Sequence, residues 1–567
     1  MFDLANDRLS YSELLRPDFG YSLDFAIGTT YSLDLEALLG VPVSLGLLED
    51  ADQELLRSPL YVLEAIRTSA DKIALFCNAG SIKLPDKIQS VYSLLEESVF
   101  QIALSQNSNF HPKLWVVKYS NSVGNSYIKL LVMSRNLTFD SSIDLCVAMK
   151  GEIKRAKRLK NKPLADMLTY VAQYANKAKQ KQILELAQDV LHVASFDVES
   201  PFEDYTFFPM GIPGHPGNAT ELLDTKYDLF AVSPFLSDDV VRTLTKGVRQ
   251  KVLITRKSSV TAQTMAAFDR VYITKDALTD NEFGVKHDIH AKLYFTTTPD
   301  GNYLYIGSAN ASHNAFFRNT ECLLRLKYKQ GYIGMKSFMQ DFLPADNSPY
   351  EELTYVPEIQ TIDSNQKLIE NTLREAIYAL KDAVISENGA TYTLQLNADP
   401  LTSSLPVTIA PLLRPDLATL LIPKTIFNGL LLRDLGEFFA LRVQDQSVVV
   451  KVETIGIPKE RDQAIYRSII DTKAKFISYI SFVLTEDSSV LSSENDALDQ
   501  LISDAEHSSS HATMTAIYEK MLRVFHQNPD RLHGIADMLT RLDSDIVGDE
   551  FIEMYRQFQE AAKKVKK

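Results

Sequence analysis

HPKLWVVKYSNSVGNSYIKLLVMSRN (111–136) and HAKLYFTTTPDGNYLYIGSAN (290–310) are the two stretches whose reading decides the fold. Each opens with His-x-Lys on a run of β-branched and aromatic residues, turns at Gly, Asn or Asp, and returns as a second apolar run ending in Ser-x-Asn. Runs of this composition between turn-formers are strands. In a strand, residues i and i+2 share a face, so His111 and Lys113 project together, as do His290 and Lys292. Asn136 and Asn310, with Ser134 and Ser308 two residues before them, then sit at the end of the neighbouring strand.

Outward from these stretches the chain repeats itself. DFAIGTTYSLDLEAL (24–38), KIALFCNAG (72–80) and IDLCVAMKG (143–151) accompany the first; YDLFAVSPFLSDDVV (227–241), KVLITRKSS (251–259) and ECLLRLKYK (321–329) accompany the second, in the same order. His111 and His290 are 179 residues apart, Asn136 and Asn310 174, and Asp144 and Glu321 177. Helical patterns lie between the strands, at 35–40, 85–98 and 237–248. Strands alternating with helices predict an α/β sandwich. Two repeated halves predict a pseudo-dimer with one site at its seam.

The expected organisation is a first half over 1–150, a basic helical connector over 151–198 interrupted at Pro163, and a second half over 199–345. A β-rich and helical accessory domain follows over 346–485, opening with a helix at 364–386 and closing with one at 461–484. An acidic polar linker spans 486–511 and a C-terminal helical bundle 512–567. A chain of 567 residues is too long for one core.

Composition narrows the function classes. Three cysteines far apart form no CxxC pair, which argues against disulfide scaffolds and thiolate metal sites and for a reducing compartment. The N-terminus has acids where a signal peptide needs a basic start, and FISYISFVL (476–484) is far short of a membrane span. The expectation is a cytoplasmic protein with no membrane partner. The net charge of −14 rules out a generally basic coat, but Lys154, Arg155, Lys157 and Arg158 form a local basic run suited to nucleic acid.

The paired motif predicts phosphoryl chemistry. One histidine attacks phosphorus and the other protonates the departing oxygen, both roles that suit an imidazole. Lys113, Lys292, Asn136 and Asn310 hold the non-bridging oxygens, with Ser134 and Ser308 as further substrate contacts. Asp144 and Glu321 are candidates to orient the histidines. No carboxylate or thiolate cluster suggests a metal, and no cofactor is expected. His287 beside His290 has no third ligand in the sequence pattern, and His313 only lines the pocket.

These residues resemble the phospholipase D superfamily, over roughly residues 20–335. The likeness implies that family's fold, a phosphohistidine intermediate, independence from metal, and His111 as the attacking histidine. The phospholipase form of the motif has an Asp seven residues after the His; here Lys118 and Thr297 stand there. In that respect the chain is similar to the superfamily's nucleases and tyrosyl-DNA phosphodiesterases. The resemblance therefore implies a DNA-directed nuclease, in a bacterial defence or DNA-processing setting. The alternatives are removal of adducts from DNA ends and a non-catalytic nucleic-acid-binding subunit. The C-terminal region is a candidate for binding a protein partner.

Overall fold

The computed structural model describes residues 11–45, 59–105, 107–139, 142–217, 220–275, 289–343, 348–357, 364–484, 517–522, 524 and 530–565. The predicted linker at 486–511 and His287 lie outside them. The chain is a mixed α/β protein with several sheets.

Two sheets hold the motifs. The first contains β1 (Tyr21–Thr30), β2 (Ile73–Asn78), β3 (Val99–Ile102), β4 (Leu114–Asn121), β5 (Ser126–Met133) and β6 (Cys146–Glu152), in the order β3-β2-β1-β4-β5-β6. The second contains β7 (Phe202–Met210), β8 (Asp228–Val232), β9 (Gln250–Thr255), β10 (Arg270–Thr274), β11 (Leu293–Thr298), β12 (Gly301–Gly307), β13 (Glu321–Tyr328) and β14 (Tyr350–Glu352). Its order is β14-β10-β9-β8-β11-β12-β13-β7.

Six neighbours in each sheet share one pattern. β1 pairs parallel with β2 and antiparallel with β4, as β8 does with β9 and β11. The following hairpins β4–β5 and β11–β12 are antiparallel, and β6 and β13 close the series. The inner strands of both sheets are largely buried, which is why they read as continuous apolar runs rather than alternating ones. Phe110, Leu114, Val116, Phe207, Leu293 and Phe295 belong to a single core cluster to which both sheets contribute. Two isolated parallel bridges, Phe110 with Thr320 and Ile143 with Ile289, tie the motif strands of one sheet to the other.

The connector departs from expectation. Pro163 does not interrupt a helix but stands in the first turn of α1 (Lys162–Ala172), where its missing N–H costs nothing. The break falls at 173–176, and α2 (Lys177–Leu191) begins after Asn176, whose side chain caps Lys179 N.

The C-terminal third also differs in detail. The expected helix at 364–386 stops at Ala379, and Leu380–Asn388 is a strand that pairs with Thr391–Ala398 across a turn at Gly389. Cross-strand pairing there outweighs the helical pattern of the sequence. The expected helix at 461–484 is two helices, Arg461–Ile469 and Lys473–Val483. The β-rich module is not a free-standing unit: one of its sheets incorporates Leu33–Asp34 and Ile82–Lys83 from the first half. Buried Arg461 donates to Glu96 at 2.5 Å, and Lys451 donates to the Val99 carbonyl at 2.9 Å, fastening the module to the first sheet. Phe476, Met538 and Phe551 from the terminal helices share a core with Leu63.

Candidate active site

The site is assembled from strand ends. Leu114 begins β4 because its N–H is bonded to Thr29 Oγ1, which carries Lys113 and His111 just beyond the sheet. His111 N donates to Thr320 O at 2.9 Å, and His290 N and Ala291 N both donate to Ile143 O at 3.1 and 2.9 Å. Each histidine is therefore held by backbone from the opposite half, directly beside that half's acid.

The acids complete the exchange. His111 Nδ1 lies 2.8 Å from Glu321 Oε2, and His290 Nδ1 lies 3.3 Å from Asp144 Oδ1. An Nδ1–H donated to a carboxylate leaves Nε2 with its lone pair facing outward, the tautomer a nucleophile needs. The acids are fixed in turn. Ser134 Oγ donates to Asp144 and accepts from Leu145 N, while Ser142 Oγ donates to the other Asp144 oxygen. Ser308 Oγ donates to Glu321 at 2.5 Å and accepts from Cys322 N, and Asn319 Nδ2 donates to the other Glu321 oxygen. A Cβ at Gly307 would fall 2.2 Å from the Cys322 carbonyl oxygen, so glycine there lets β12 and β13 come close enough for this contact.

Ser134 and Ser308 stand behind the acids. Both are fully buried, and their hydroxyls are engaged by the acids and the backbone rather than turned to a substrate. Lys154, Arg155, Lys157 and Arg158 are also placed elsewhere. Asp144 precedes β6 at the site end of the sheet, and the seven residues of β6 carry the chain about 20 Å away before the basic run begins. Lys154 there pairs with Glu152, and Lys157 with Gln188.

Lys113 and Lys292 are almost completely buried. Lys113 Nζ is 3.2 Å from His111 Nε2 and 3.1 Å from His111 O; Lys292 Nζ donates to His290 O at 2.5 Å. Burial and then the like charge of Lys292 push the Lys113 ammonium well below its ordinary range. Burial, opposed by Glu321 and reinforced by Lys113, pushes His111 down to about 4. Burial also lowers His290 despite its bond to Asp144. Burial pushes the Asp144 carboxyl up, but the hydrogen bonds from His290, Ser134 and Ser142 bring it below its usual value. Burial and the nearness of Lys292 thus disfavour the charged form of Lys113, and burial disfavours the charged forms of both imidazoles, an environment that a nearby anion relieves.

The amides complete the pocket unevenly. Asn136 Oδ1 receives the Ser32 N–H at 3.5 Å, whereas the buried Asn310 Oδ1 has no hydrogen-bond partner among the described residues. A buried amide left in that state is costly unless a ligand supplies the missing bond.

Several residues here carried no sequence assignment. The Tyr31 ring lies 5.1 Å from that of His111 and 5.9 Å from Lys113 Nζ. Thr30 Oγ1 and Ser233 Oγ receive the N–H of Leu137 and Ala311, the residues after the two asparagines. The repeat contained their signal, since GTTY (28–31) and AVSP (231–234) occupy matching strand ends. Ser142 and Asn319 gave no signal of their own. Among the described residues, no three His, Cys, Asp or Glu side chains cluster as a metal site would require, and no helix is long and apolar enough to cross a membrane.

No curated protein matches the chain by sequence. Among solved structures, yeast tyrosyl-DNA phosphodiesterase is similar at 12% identity and a TM-score of 0.36, over 56% of this chain and 85% of that one. Phosphatidylserine synthase from Haemophilus influenzae is similar at 11% identity and a TM-score of 0.35, over 64% and 90%. Polyphosphate kinase from Porphyromonas gingivalis gives 10% and 0.35, over 64% and 50%. These likenesses are too remote to assign an activity. The family model described as cardiolipin synthase, PLD-like domain, matches residues 218–342, the segment that carries His290, Lys292, Asn310 and Glu321. Residues 218–342 thus contain a phospholipase D-like domain.

Proposed function

We propose that the protein is a metal-independent phosphodiesterase that cleaves nucleic acid through a phosphohistidine intermediate at one site shared by two pseudo-symmetric halves. The observation that carries this reading is the reciprocal pairing of His111 with Glu321 and His290 with Asp144, around two buried lysines.

A phosphodiester bound between Lys113, Lys292, Asn136 and Asn310 brings negative charge beside both imidazoles. That charge favours protonation of one of them. His111 Nε2 then forms a bond to phosphorus as the P–O bond to the leaving alcohol breaks, and His290 gives its proton to that oxygen. In the second half-reaction neutral His290 takes a proton from water as the water oxygen bonds to phosphorus and the P–N bond breaks. His111 recovers its lone pair. The lysines and amides face the non-bridging oxygens throughout, where the charge is concentrated.

Nucleic acid is favoured over lipid because Lys118 and Thr297 stand where a phospholipase has Asp, and both are tied to acids nearby, Lys118 to Asp189 of α2 and Thr297 to Asp228 of β8. Incubation of plasmid and oligonucleotide DNA with the protein in EDTA tests the reading. Strand breaks that vanish in His111→Ala support it; wild type and His111→Ala behaving alike at every pH overturn it. A 3′-phosphotyrosyl oligonucleotide distinguishes end-adduct removal, which spares internal bonds.

A further inference from the structure

Among the described residues four phenylalanines are exposed: Phe19, Phe139, Phe235 and Phe317. Three of them lie close to site residues along the chain or through a bridge. Phe139 follows Asn136 by three residues, a reach of about 10 Å at most, and is 70% exposed. Phe235, 47% exposed, precedes Leu236, which is bridged to Ala311 beside Asn310. Phe317, 50% exposed, ends α3 (His313–Phe317), which starts three residues after Asn310.

The rings are not a continuous apolar patch. The Arg256 guanidinium lies 4.6 Å over the Phe235 ring, and Arg256 Nε also donates to the Ile289 carbonyl next to His290. The His313 ring lies 5.0 Å from Phe317 at 36°, and His313 Nδ1 is 2.6 Å from Asp239. Tyr31 lies deeper, against His111. Single aromatic rings separated by cations and polar groups do not suit insertion into a lipid surface, which calls for a contiguous apolar face. They suit unpaired bases, which stack on rings and guanidinium planes while the backbone phosphate enters a cationic pocket. A duplex keeps its base faces stacked internally and cannot use the rings.

We infer that the mouth of the site selects single-stranded nucleic acid, with Phe139, Phe235 and Phe317 as stacking platforms on either side of the scissile phosphate. The inference rests on the phosphodiesterase reading above and specifies its substrate.

The test uses the full-length His111→Ala protein, so that binding is measured without turnover. Fluorescence anisotropy is recorded with labelled oligothymidylate, oligouridylate and a duplex of equal length, and flotation with phosphatidylglycerol vesicles. Tighter binding of the single strands, weakened about tenfold or more for each ring replaced in Phe139→Ala, Phe235→Ala and Phe317→Ala, supports the inference. Equal duplex binding, unchanged affinity in the ring variants, or binding of vesicles but not oligonucleotides overturns it. An unchanged thermal midpoint establishes that the variants are folded. Turnover of bis(4-nitrophenyl) phosphate by the wild type tests the phosphodiesterase reading independently: no turnover overturns that reading, whatever the binding preference.

Discussion

The two halves of the site have the same skeleton and different fittings. Both present a histidine two residues before a lysine, an amide on the next strand, and an acid delivered across the seam. Yet His111 meets a glutamate at 2.8 Å and His290 an aspartate at 3.3 Å. Both lysines donate to the carbonyl of their own histidine, and Lys113 also lies 3.2 Å from the His111 Nε2. Tyr31 packs on His111, and the matching position beside His290 is Pro234. The difference points to a division of labour. The tightly held imidazole, fixed in one tautomer, suits nucleophilic attack. The looser one suits a group that must give up a proton in one step and take one in the next.

The largest expected effect breaks this symmetry outright. His111→Ala should lose on the order of 10⁴-fold or more in kcat on any diester. His290→Ala should lose much less on bis(4-nitrophenyl) phosphate, whose leaving group needs no proton, than on DNA. Because the second step also lacks its base, the His290→Ala protein should accumulate a covalent phosphoenzyme, visible on denaturing gels with labelled substrate. Equal losses for both variants on both substrates, with no adduct, would return the two histidines to equivalence.

Next come the acids. Glu321→Gln removes the carboxylate that fixes the His111 tautomer, a change that can cost up to about 10⁴-fold in comparable histidine–carboxylate pairs. Asp144→Asn loosens a longer bond and should cost less. Steady-state kcat on the chromogenic diester checks the ranking, and the reverse order would assign the attacking role to His290.

The pH dependence sharpens the same point. Burial holds His111 down near 4 and lowers His290 from its ordinary 6.5, so both are neutral in the free enzyme above that value. The reactive form needs one imidazole protonated, so kcat/KM should fall about tenfold per pH unit above 6.5. Below about 4 His111 takes up a proton and loses its nucleophilic lone pair. The maximum should therefore lie on the acid side of neutrality. A profile rising through pH 8 would contradict it.

Much of this was legible in the sequence, for reasons that particular residues make clear. His111 and Lys113 stand just before one strand and Asn136 just after the next, and the repeat at 290–310 doubles the signal. The swap was not legible, because which acid meets which histidine depends on the bridges at Phe110–Thr320 and Ile143–Ile289, contacts 210 and 146 residues apart. The bonds of Ser134 and Ser308 to the acids were not legible for a related reason: a hydroxyl at a strand end suits a phosphate or a carboxylate equally, and the neighbouring strand brings the carboxylate. The place of the basic run at 154–158 was not legible either, because an extended strand lies between it and Asp144. Leu380–Asn388 followed a helical pattern and became a strand because its partner hairpin was available.

The smallest expected effect tests how each acid is supported. Ser142→Ala removes one donor from Asp144, and Asn319→Ala removes one from Glu321. A hydrogen bond to a charged group is worth about 1.5–3 kcal/mol, so each change should cost roughly ten- to a hundredfold in kcat if the whole of it reaches the transition state. The remaining donors, Ser134 and Ser308, should reduce that to several-fold. The two variants should part company in stability. Asn319 Oδ1 also accepts from Asn109 N at 3.0 Å, beside the Phe110 bridge, so its loss leaves a backbone donor unpaired at the seam. The bond from Ser142 Oγ to Asp144, by contrast, joins residues two apart in one segment of chain. Asn319→Ala should therefore lower the thermal midpoint measurably while Ser142→Ala leaves it nearly unchanged. Equal midpoints would mean that the seam beside His111 is held no more firmly than the seam beside His290, which would remove the structural basis for giving the two histidines different tasks.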